Sequence, residues 1–333
     1  MACYHPMTAY RSAVKNESGK RSLTFNRREA IDTANPLKIP CGQCIGCRLE
    51  RSRQWAIRCE HEARLHIHNC FLTLTYNNEN IPEPYPGVHS LDKTHHQKFL
   101  KKLRKKYVPK CPYKKKDEPE LYKEFFLKHG IKYFHCGEYG SKTLRPHYHT
   151  LLFNFDFKDK KPLKKTKHGN MLYTSKELDE MWGLGHCYIG QATFESAAYV
   201  ARYCLKKVTG KDALHYYNEI DPKTGEIISE TLPEYVTMSK NPAIGLDWYE
   251  QFKDDCFPND SITTRGIKVK PPKYYLSKLE LTDPDLYAKV KSQRKAAAFK
   301  NQTNRDRLDA AEIIKHQTVQ TCLTRDLEKE NTL

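Results

Sequence analysis

The chain has 333 residues, of which 57 are lysine or arginine and 40 are aspartate or glutamate, so its formal net charge is +17. This length is sufficient to bury a hydrophobic core, and no stretch approaches the roughly 18 apolar residues of a membrane-spanning helix. The first residues lack the apolar centre of a signal peptide, so we expect a cytoplasmic protein. The 12 cysteines are then read as reduced thiols or metal ligands rather than as disulfides.

Basic runs recur along the chain and alternate with 21 tyrosines. The runs lie at 98–106, 114–116 and 158–167. A single run of this kind is usually a solvated surface, but several of them together with aromatic residues indicate a nucleic-acid partner. A membrane is the weaker candidate, and we expect none.

Three cysteines at two-residue gaps follow a polar, loop-like N-terminal stretch. They are Cys41, Cys44 and Cys47. The intervening glycine residues allow several sulfur atoms to converge on one ion, and Cys3 or His5 would complete a tetrahedral zinc site, with Cys3 favoured. The alternatives are buried cysteines without a metal and an iron–sulfur cluster, since the spacing also resembles part of a ferredoxin run.

A helix rich in arginine is predicted from residue 48 to about residue 64, and a second helix with outward lysines is predicted at 93–107. We expect these two helices to supply side chains that contact DNA phosphates. The predicted set is Arg48, Arg51, Arg53, Arg58, Lys101 and Lys102.

The elements between residues 70 and 210 are of mixed type. In chain order they are a strand at 69–76, the helix at 93–107, a strand around Glu138, a strand at 145–154, a helix from Thr174 or Ser175 to Met181, a strand at 185–189 and a helix at 199–207. This order predicts an α+β fold with a central, mostly antiparallel sheet flanked by helices. We expect three regions: a cysteine-rich and basic segment at 1–69, this domain at 70–210, and an accessory region at 211–333. The last region ends in a helical tail that begins at Asp283 and Pro284.

The strand at 145–154 carries two histidines at alternate positions, His147 and His149. Side chains alternate between the two faces of a strand, so both imidazoles point the same way and can bind one metal ion. Glu138 lies on the preceding strand, which can pair antiparallel through a connection at 141–144. These three residues therefore predict a metal site.

The helix at 199–207 places Tyr199, Tyr203 and Lys207 on one side, because residues four apart are neighbours on a helix surface. Ser196 is the predicted cap at its start. Taken alone, two tyrosines at this spacing are typical of half-buried packing residues.

These residues together resemble the motifs of HUH rolling-circle endonucleases. The resemblance rests on the strand bearing Tyr76, on Arg-Pro-His147-Tyr-His149 and on Tyr199-x-x-x-Tyr203, in that order. It is closest to replication initiators of small single-stranded DNA phages, microviruses of the gokushovirus type, and it also includes the cysteine segment. The resemblance implies His147, His149 and Glu138 as metal ligands and the two tyrosines as nucleophiles.

This chemistry suits the residue types. A divalent ion, Mg²⁺ or Mn²⁺, would neutralise the phosphate, and imidazole ligands favour Mn²⁺. A phenol has a pKa near 10, so a cation such as Lys206 or Lys207 would favour its ionised form. The expected product is a 5′-phosphotyrosine with a free 3′-OH.

Two other interpretations remain open. One is a non-catalytic zinc-knuckle protein that binds nucleic acid, and the other is a metallohydrolase that uses water and forms no covalent adduct. The resemblance further implies single-stranded DNA at a replication origin as the substrate, a host replication helicase and polymerase as partners, and the bacterial cytoplasm as the location.

Overall fold

The computed structural model describes residues 3–17, 19–140, 143–166, 169–202, 212–300 and 304–331. Its strands are β1 (Met7–Lys15), β2 (Arg21–Thr24), β3 (Leu37–Ile39), β4 (Asn69–Thr75), β5 (Lys132–Tyr139), β6 (Pro146–Phe153), β7 (Lys161–Lys165), β8 (Met171–Thr174), β9 (Cys187–Gln191), β10 (Asn218–Ile220), β11 (Ile227–Glu230), β12 (Tyr235–Met238), β13 (Ile262–Thr264) and β14 (Ile267–Val269). Its helices are α1 (Ile45–Arg64), α2 (Lys93–Tyr107), α3 (Pro119–His129), α4 (Lys176–Trp182), α5 (Phe194–Arg202), α6 (Asp212–Tyr217), α7 (Leu246–Cys256), α8 (Lys273–Thr282), α9 (Pro284–Lys300) and α10 (Arg305–Asn331).

The chain divides into two compact units, one formed by residues 1–51 with 288–333 and the other by residues 52–287. In the first unit, β1 lies between β2 and β3 in an antiparallel sheet. Arg305 of α10 donates a hydrogen bond to the carbonyl oxygen of Tyr4 at 3.0 Å, which joins the two ends of the chain in this unit. None of the helices in the described ranges combines the length and the apolar character that a membrane span requires.

The three N-terminal strands correct the sequence analysis, which predicts a loop there. Only Ala9 and Tyr10 of β1 are buried, and the rest of the strand faces solvent wholly or in part. A strand with such a short buried segment carries no regular alternation of apolar and polar residues, which is the signal that predicts a strand.

The second unit is built on a seven-stranded sheet with the order β12-β5-β6-β4-β9-β8-β7. All neighbouring strands are antiparallel. This confirms the predicted mixed α+β class with an antiparallel sheet flanked by helices. The strand predicted at 185–189 begins later, at Cys187, because Gly185 crosses the end of β4 so closely that a Cβ would lie 2.4 Å from the backbone nitrogen of Asn77.

The sheet buries its two faces under different helices. Helices α2 and α4 cover one face, here called the α2 face, whose core includes Leu72, Phe99, Tyr148, Leu152 and Trp182. Helices α1 and α5 cover part of the other, here called the α5 face, whose core includes Ala56, Phe134, Leu151, Phe153 and Val200. Consecutive residues of β6 therefore pack on opposite sides, as strand geometry requires.

Helix starts follow capping chemistry. The predicted helix at 93–107 is confirmed as α2, and the predicted cap of α4 is confirmed because the Ser175 hydroxyl accepts a hydrogen bond from the amide of Leu178. The prediction that Ser196 caps the tyrosine helix is wrong. Thr193 is the cap: its hydroxyl accepts from the Ser196 amide at 3.2 Å and its own amide donates to the Ser196 hydroxyl at 2.8 Å, a reciprocal capping box.

The C-terminal region contributes to the same sheet, since β12 pairs with β5 and forms an edge. The hairpin of β7 and β8 forms the other edge, where the sequence predicts only a lysine-rich loop. The exposed residues of β7 explain the miss, because a strand without a buried face reads as a loop. The predicted helix start at Asp283 and Pro284 is confirmed by α9, whose Leu286 amide donates to the Asp283 carboxylate.

A buried charge cluster joins α1, β5 and α7. The ammonium of Lys132 lies 2.8 Å from the Glu62 carboxylate and 2.5 Å from that of Asp247. Glu62 also accepts a hydrogen bond from the amide of Gly245 at 2.7 Å. Burial alone raises the pKa of Glu62, but hydrogen bonds from His66 and Lys132 outweigh it, so the pKa lies below its usual value.

Replacing Lys132 with methionine is expected to destabilise the protein by about 3–5 kcal/mol, because two buried carboxylates lose their cation. Urea unfolding measures the change. The matched control is Lys123→Met, which breaks an exposed pair with Glu250 and is expected to change stability by about 1 kcal/mol or less. Equal effects of the two substitutions would contradict a stabilising role for the buried cluster.

Candidate metal and tyrosine site

Two neighbouring strands bring a carboxylate and two imidazoles together. In the antiparallel register of β5 and β6, Glu138 lies opposite His147, and Cys136 lies opposite His149. The predicted antiparallel pairing of these strands is therefore confirmed. All four side chains project onto the α5 face, because directly opposed residues of an antiparallel pair share a face.

The ligand atoms converge. One carboxylate oxygen of Glu138 lies 2.7 Å from Nε2 of His147 and 2.9 Å from Nε2 of His149. The Glu138 side chain is buried, as is that of His149, whereas His147 is half-buried. The potential ligand atoms of the three residues all lie within 4.8 Å of one another, which suits a common metal ion.

The outer nitrogen of each imidazole is held by a second residue. Nδ1 of His147 donates to the carbonyl oxygen of Arg145 at 3.1 Å, and Nδ1 of His149 lies 3.1 Å from the hydroxyl of Thr73. The ring of Phe71 stacks on His149 with an interplanar angle of 4°. Partners of this kind fix ring orientation and tautomer in metal sites.

The donor set fits a divalent cation. His147 carries a proton on Nδ1 to reach the Arg145 carbonyl, so its contact with the Glu138 carboxylate requires either a second proton on Nε2 or a cation between the two groups. Burial raises the pKa of Glu138, but hydrogen bonds from His147 and His149 outweigh this effect and hold it at about 2. The carboxylate is thus an anionic ligand at neutral pH.

Tyr199 of α5 reaches this cluster. Its phenol oxygen lies 3.5 Å from the Glu138 carboxylate and 3.5 Å from Nε2 of His149. Its ring packs edge-on against His149, with centroids 5.0 Å apart. The structure thus brings Tyr199 together with the three predicted metal ligands. Tyr203, Lys206 and Lys207 lie outside the described residues, so their predicted roles remain predictions.

The four predicted cysteine ligands form a second cluster, in the first unit. Sγ of Cys3 lies 3.7 Å from Sγ of Cys41 and 4.0 Å from Sγ of Cys44, and Cys47 lies within the same 4.8 Å group. With zinc–sulfur bonds of about 2.3 Å, a tetrahedral site places sulfur atoms about 3.8 Å apart. The thiol arrangement therefore fits zinc.

Backbone amides point at these sulfur atoms. The amide of Cys41 donates to Sγ of Cys3, and the amide of Cys44 donates to Sγ of Cys41. Although burial raises the pKa of the Cys41 thiol, backbone amides of Cys44 and Gln43 lower it to about 7. The alternative fourth ligand, His5, lies outside this cluster and contacts Glu312 at 2.6 Å.

One predicted DNA-binding residue is corrected by the structure. Arg58 is buried, and its guanidinium donates two hydrogen bonds to the carbonyl oxygen of Ile244. Its charge lies over the rings of Trp55 and Tyr274, at 4.1 and 4.0 Å from their centroids. The side chain thus joins α1 to later segments and does not face a phosphate.

The other predicted DNA-binding residues fall into two groups. Arg48, Arg51 and Arg53 are exposed or half-buried on α1, and Arg53 donates to the carbonyl oxygen of Lys270. Lys101 and Lys102 are exposed on α2, so they lie on the other side of the sheet from Glu138 and the histidines. Their predicted contacts with DNA remain predictions.

Comparisons with known proteins agree with these observations. The family model of the replication-associated protein ORF2 matches residues 69–208. The chain is 34% identical over 247 residues to the replication-associated protein ORF2 of Spiroplasma virus 4, covering 73% of this chain and 68% of that one. It is 31% identical over 315 residues to the replication-associated protein VP4 of Bdellovibrio phage phiMH2K, covering 93% and 88%.

A third relative, the replication-associated protein ORF4 of Chlamydia phage 1, is 29% identical over 242 residues, covering 71% of this chain and 52% of that one. No solved structure matches the chain. The extent of the match to the Bdellovibrio phage protein shows common ancestry along nearly the whole sequence. The chain therefore belongs to the ORF2 family of replication-associated proteins found in small single-stranded DNA phages.

Proposed function

We propose that this protein initiates rolling-circle replication as a metal-dependent, site-specific nickase and strand transferase of single-stranded DNA, with an HUH endonuclease-like domain. The observation that carries this proposal is the position of the Tyr199 phenol, 3.5 Å from two potential metal ligands. A tyrosine that only packs in a core has no need of a carboxylate and two imidazoles at its hydroxyl. The membership in a family of replication-associated proteins supports the same conclusion.

The proposed metal ligands are Nε2 of His147, Nε2 of His149 and the carboxylate of Glu138. Thr73 and the Arg145 carbonyl hold the two rings in place, and Phe71 stacks on one of them. A bound Mg²⁺ or Mn²⁺ would act as a Lewis acid on the phosphate oxygens. Mn²⁺ is expected to bind more tightly, since imidazole ligands favour it over Mg²⁺.

In the proposed reaction the Tyr199 oxygen attacks the phosphorus, and the bond from phosphorus to the 3′ oxygen breaks. The phenol loses its proton to solvent and the 3′ oxygen gains one, which leaves a 5′-phosphotyrosine and a free 3′-OH. Lys206 and Lys207 are proposed to favour the ionised phenol. Tyr203 is the proposed second nucleophile, one helical turn after Tyr199.

The decisive experiment uses a single-stranded circle of the genome that encodes the protein, cut into overlapping oligonucleotides and incubated with Mn²⁺. Strand labelled at its 3′ end should remain attached to the protein after denaturation, whereas strand labelled at its 5′ end should be released with a 3′-OH that a polymerase extends. Cleavage without an adduct would favour the metallohydrolase, and binding without cleavage would favour the zinc-knuckle alternative.

The substitution His147→Ala should abolish nicking and Mn²⁺ binding but largely spare DNA binding, because affinity comes mainly from cationic contacts with phosphates. Thr73→Val should weaken Mn²⁺ binding by roughly 10- to 100-fold, as is typical for partners of ligating histidines. Isothermal titration measures the metal and a gel assay measures nicking. The control is His68→Ala, an exposed histidine outside the cluster. Normal nicking by the His147 variant would remove the metal proposal.

The two tyrosines should alternate. Tyr199→Phe and Tyr203→Phe should each retain some single cleavage, since the other phenol remains, and the double variant should form no adduct. Release of a circularised strand should fail in either single variant, because that step needs two nucleophiles. Tyr173→Phe, on the α2 face of the sheet, is the control. Efficient circularisation by a monomeric single-tyrosine variant would refute alternation.

We also propose a structural zinc ion on Cys3, Cys41, Cys44 and Cys47, with a role in folding or DNA docking. Elemental analysis of purified protein should find about one tightly bound zinc, as expected for a closed tetrahedral site. Cys44→Ser should lose that zinc, whereas Cys111→Ser, outside the cluster, should keep it. Protein that is stable, active and free of zinc would reject the site, and iron in its place would indicate a cluster.

The proposed partners follow from this role. Single-stranded DNA at the replication origin is the substrate, and the free 3′-OH and the displaced strand call for a host polymerase and a host helicase. The remaining predicted phosphate contacts are Arg48, Arg51, Arg53, Lys101 and Lys102.

A further inference from the structure

A row of side chains crosses the α5 face of the sheet, starting at the metal ligands. Thr73 lies opposite His149 on one side and opposite Tyr188 on the other. Tyr173 pairs with Ile189, so the next residue of β8, Thr174, lies beside Tyr188, and Lys161 of β7 pairs with Thr174. The row Thr73, Tyr188, Thr174 and Lys161 is here called the sheet track.

The register fixes the scale of this track. Neighbouring strands lie about 4.8 Å apart, so Tyr188 lies about 10 Å and Lys161 about 19 Å from His149 along the sheet. Helix α5 packs over β5 and β6 rather than over this end of the sheet. Thr73, Tyr188 and Thr174 are accordingly half-buried, and Lys161 is exposed.

Tyr188 differs from the tyrosines of the α2 face. The phenols of Tyr76 and Tyr148 are buried and hydrogen-bonded to each other at 2.7 Å. Tyr188 makes no hydrogen bond or ring contact with any side chain in the part of the chain that the structure describes. An aromatic ring in that position, beside a nucleic-acid cleavage site, is suited to stack on a base.

The floor beside Tyr188 is flat because the next position on this face is Gly190. A Cβ there would meet Phe71 at 3.4 Å and Leu172 at 3.7 Å, which are ordinary contacts, so packing within the protein does not require glycine. A glycine inside a strand often marks a place where a ligand approaches the backbone closely.

Positive charge lies at the far end of the track. Lys161 and Lys164 of β7 both project onto the α5 face, since they pair with Thr174 and Leu172. Both lysines are exposed. The track thus leads from the metal ligands, past an aromatic ring, to two cations, which is the combination that binds single strands without reading their sequence.

We propose that the sheet track binds the single-stranded DNA next to the nicked phosphate, with a base stacked on Tyr188 and backbone phosphates at Lys161 and Lys164. This inference rests on the proposed function for the identity of the substrate, but it concerns residues that take no part in the chemistry. It assigns Tyr188 as a binding residue and not as a nucleophile.

The first test measures binding of a fluorescent single-stranded oligonucleotide in the presence of EDTA, so that no cleavage contributes. Tyr188→Leu should weaken binding by roughly 5- to 100-fold, the range expected for loss of one base–aromatic stack, whereas Tyr188→Phe should bind like the original protein. Tyr85→Leu is the matched control, because Tyr85 is an exposed tyrosine outside the track. Thermal unfolding checks that every variant is folded.

The salt dependence of binding separates stacking from charge. The double variant K161A/K164A should reduce the slope of log affinity against log salt by about 1.4, since each lost phosphate contact removes about 0.7 for a single strand. Tyr188→Leu should lower the affinity and leave the slope unchanged. If Tyr188→Leu changed the slope instead, the stacking role would be rejected.

A crosslinking experiment locates the contact directly. Oligonucleotides carrying a photoreactive halogenated pyrimidine near the nick should crosslink to the β9 peptide that contains Tyr188. Failure of the original protein to bind any single strand would refute the proposed function itself. Folded Tyr188→Leu protein that binds and crosslinks normally, while the original protein still nicks DNA, would refute only the sheet track.

Discussion

The register between β5 and β6 is the constraint on which the candidate site depends. A slip of one residue would move His147 and His149 to the α2 face and turn Tyr148 toward Tyr199. The register is fixed from behind the site. The Tyr148 phenol donates to the carbonyl oxygen of Asp92 and accepts from the Asp92 amide, at 2.8 and 2.9 Å. The interior hydrogen bonds of one face thus align the ligands on the other.

A second interaction behind the site has the same effect. The hydroxyl of Thr150 lies 3.0 Å from Nε2 of His96 and 2.9 Å from Nδ1 of His135, and the two imidazole rings stack 3.3 Å apart. Burial lowers the pKa of His96 to about 3 and that of His135 well below its usual value. Both rings therefore stay neutral, so they position β6 without adding positive charge behind the proposed cation site.

The sequence predicts those parts of the site that local periodicity determines. Alternation along one strand places His147 and His149 on one face, and a short connection brings Glu138 to them. Thr73 could not be predicted, because the pairing of β4 with β6 joins positions 76 residues apart. Arg58 was misassigned for a similar reason: its partner, the Ile244 carbonyl, comes from a distant segment. The N-terminal strands lacked the buried face that produces an alternating pattern.

The pairing of β12 with β5 has a consequence for dissecting the molecule. The family match ends at residue 208, which suggests a natural place to truncate the chain. A fragment ending there would lack β12 and leave the strand of Glu138 as a bare edge, open to pairing with other chains. It would also lack Asp247, a partner of Lys132, and the backbone that binds Arg58. The smallest autonomous version of this unit must therefore extend through α7.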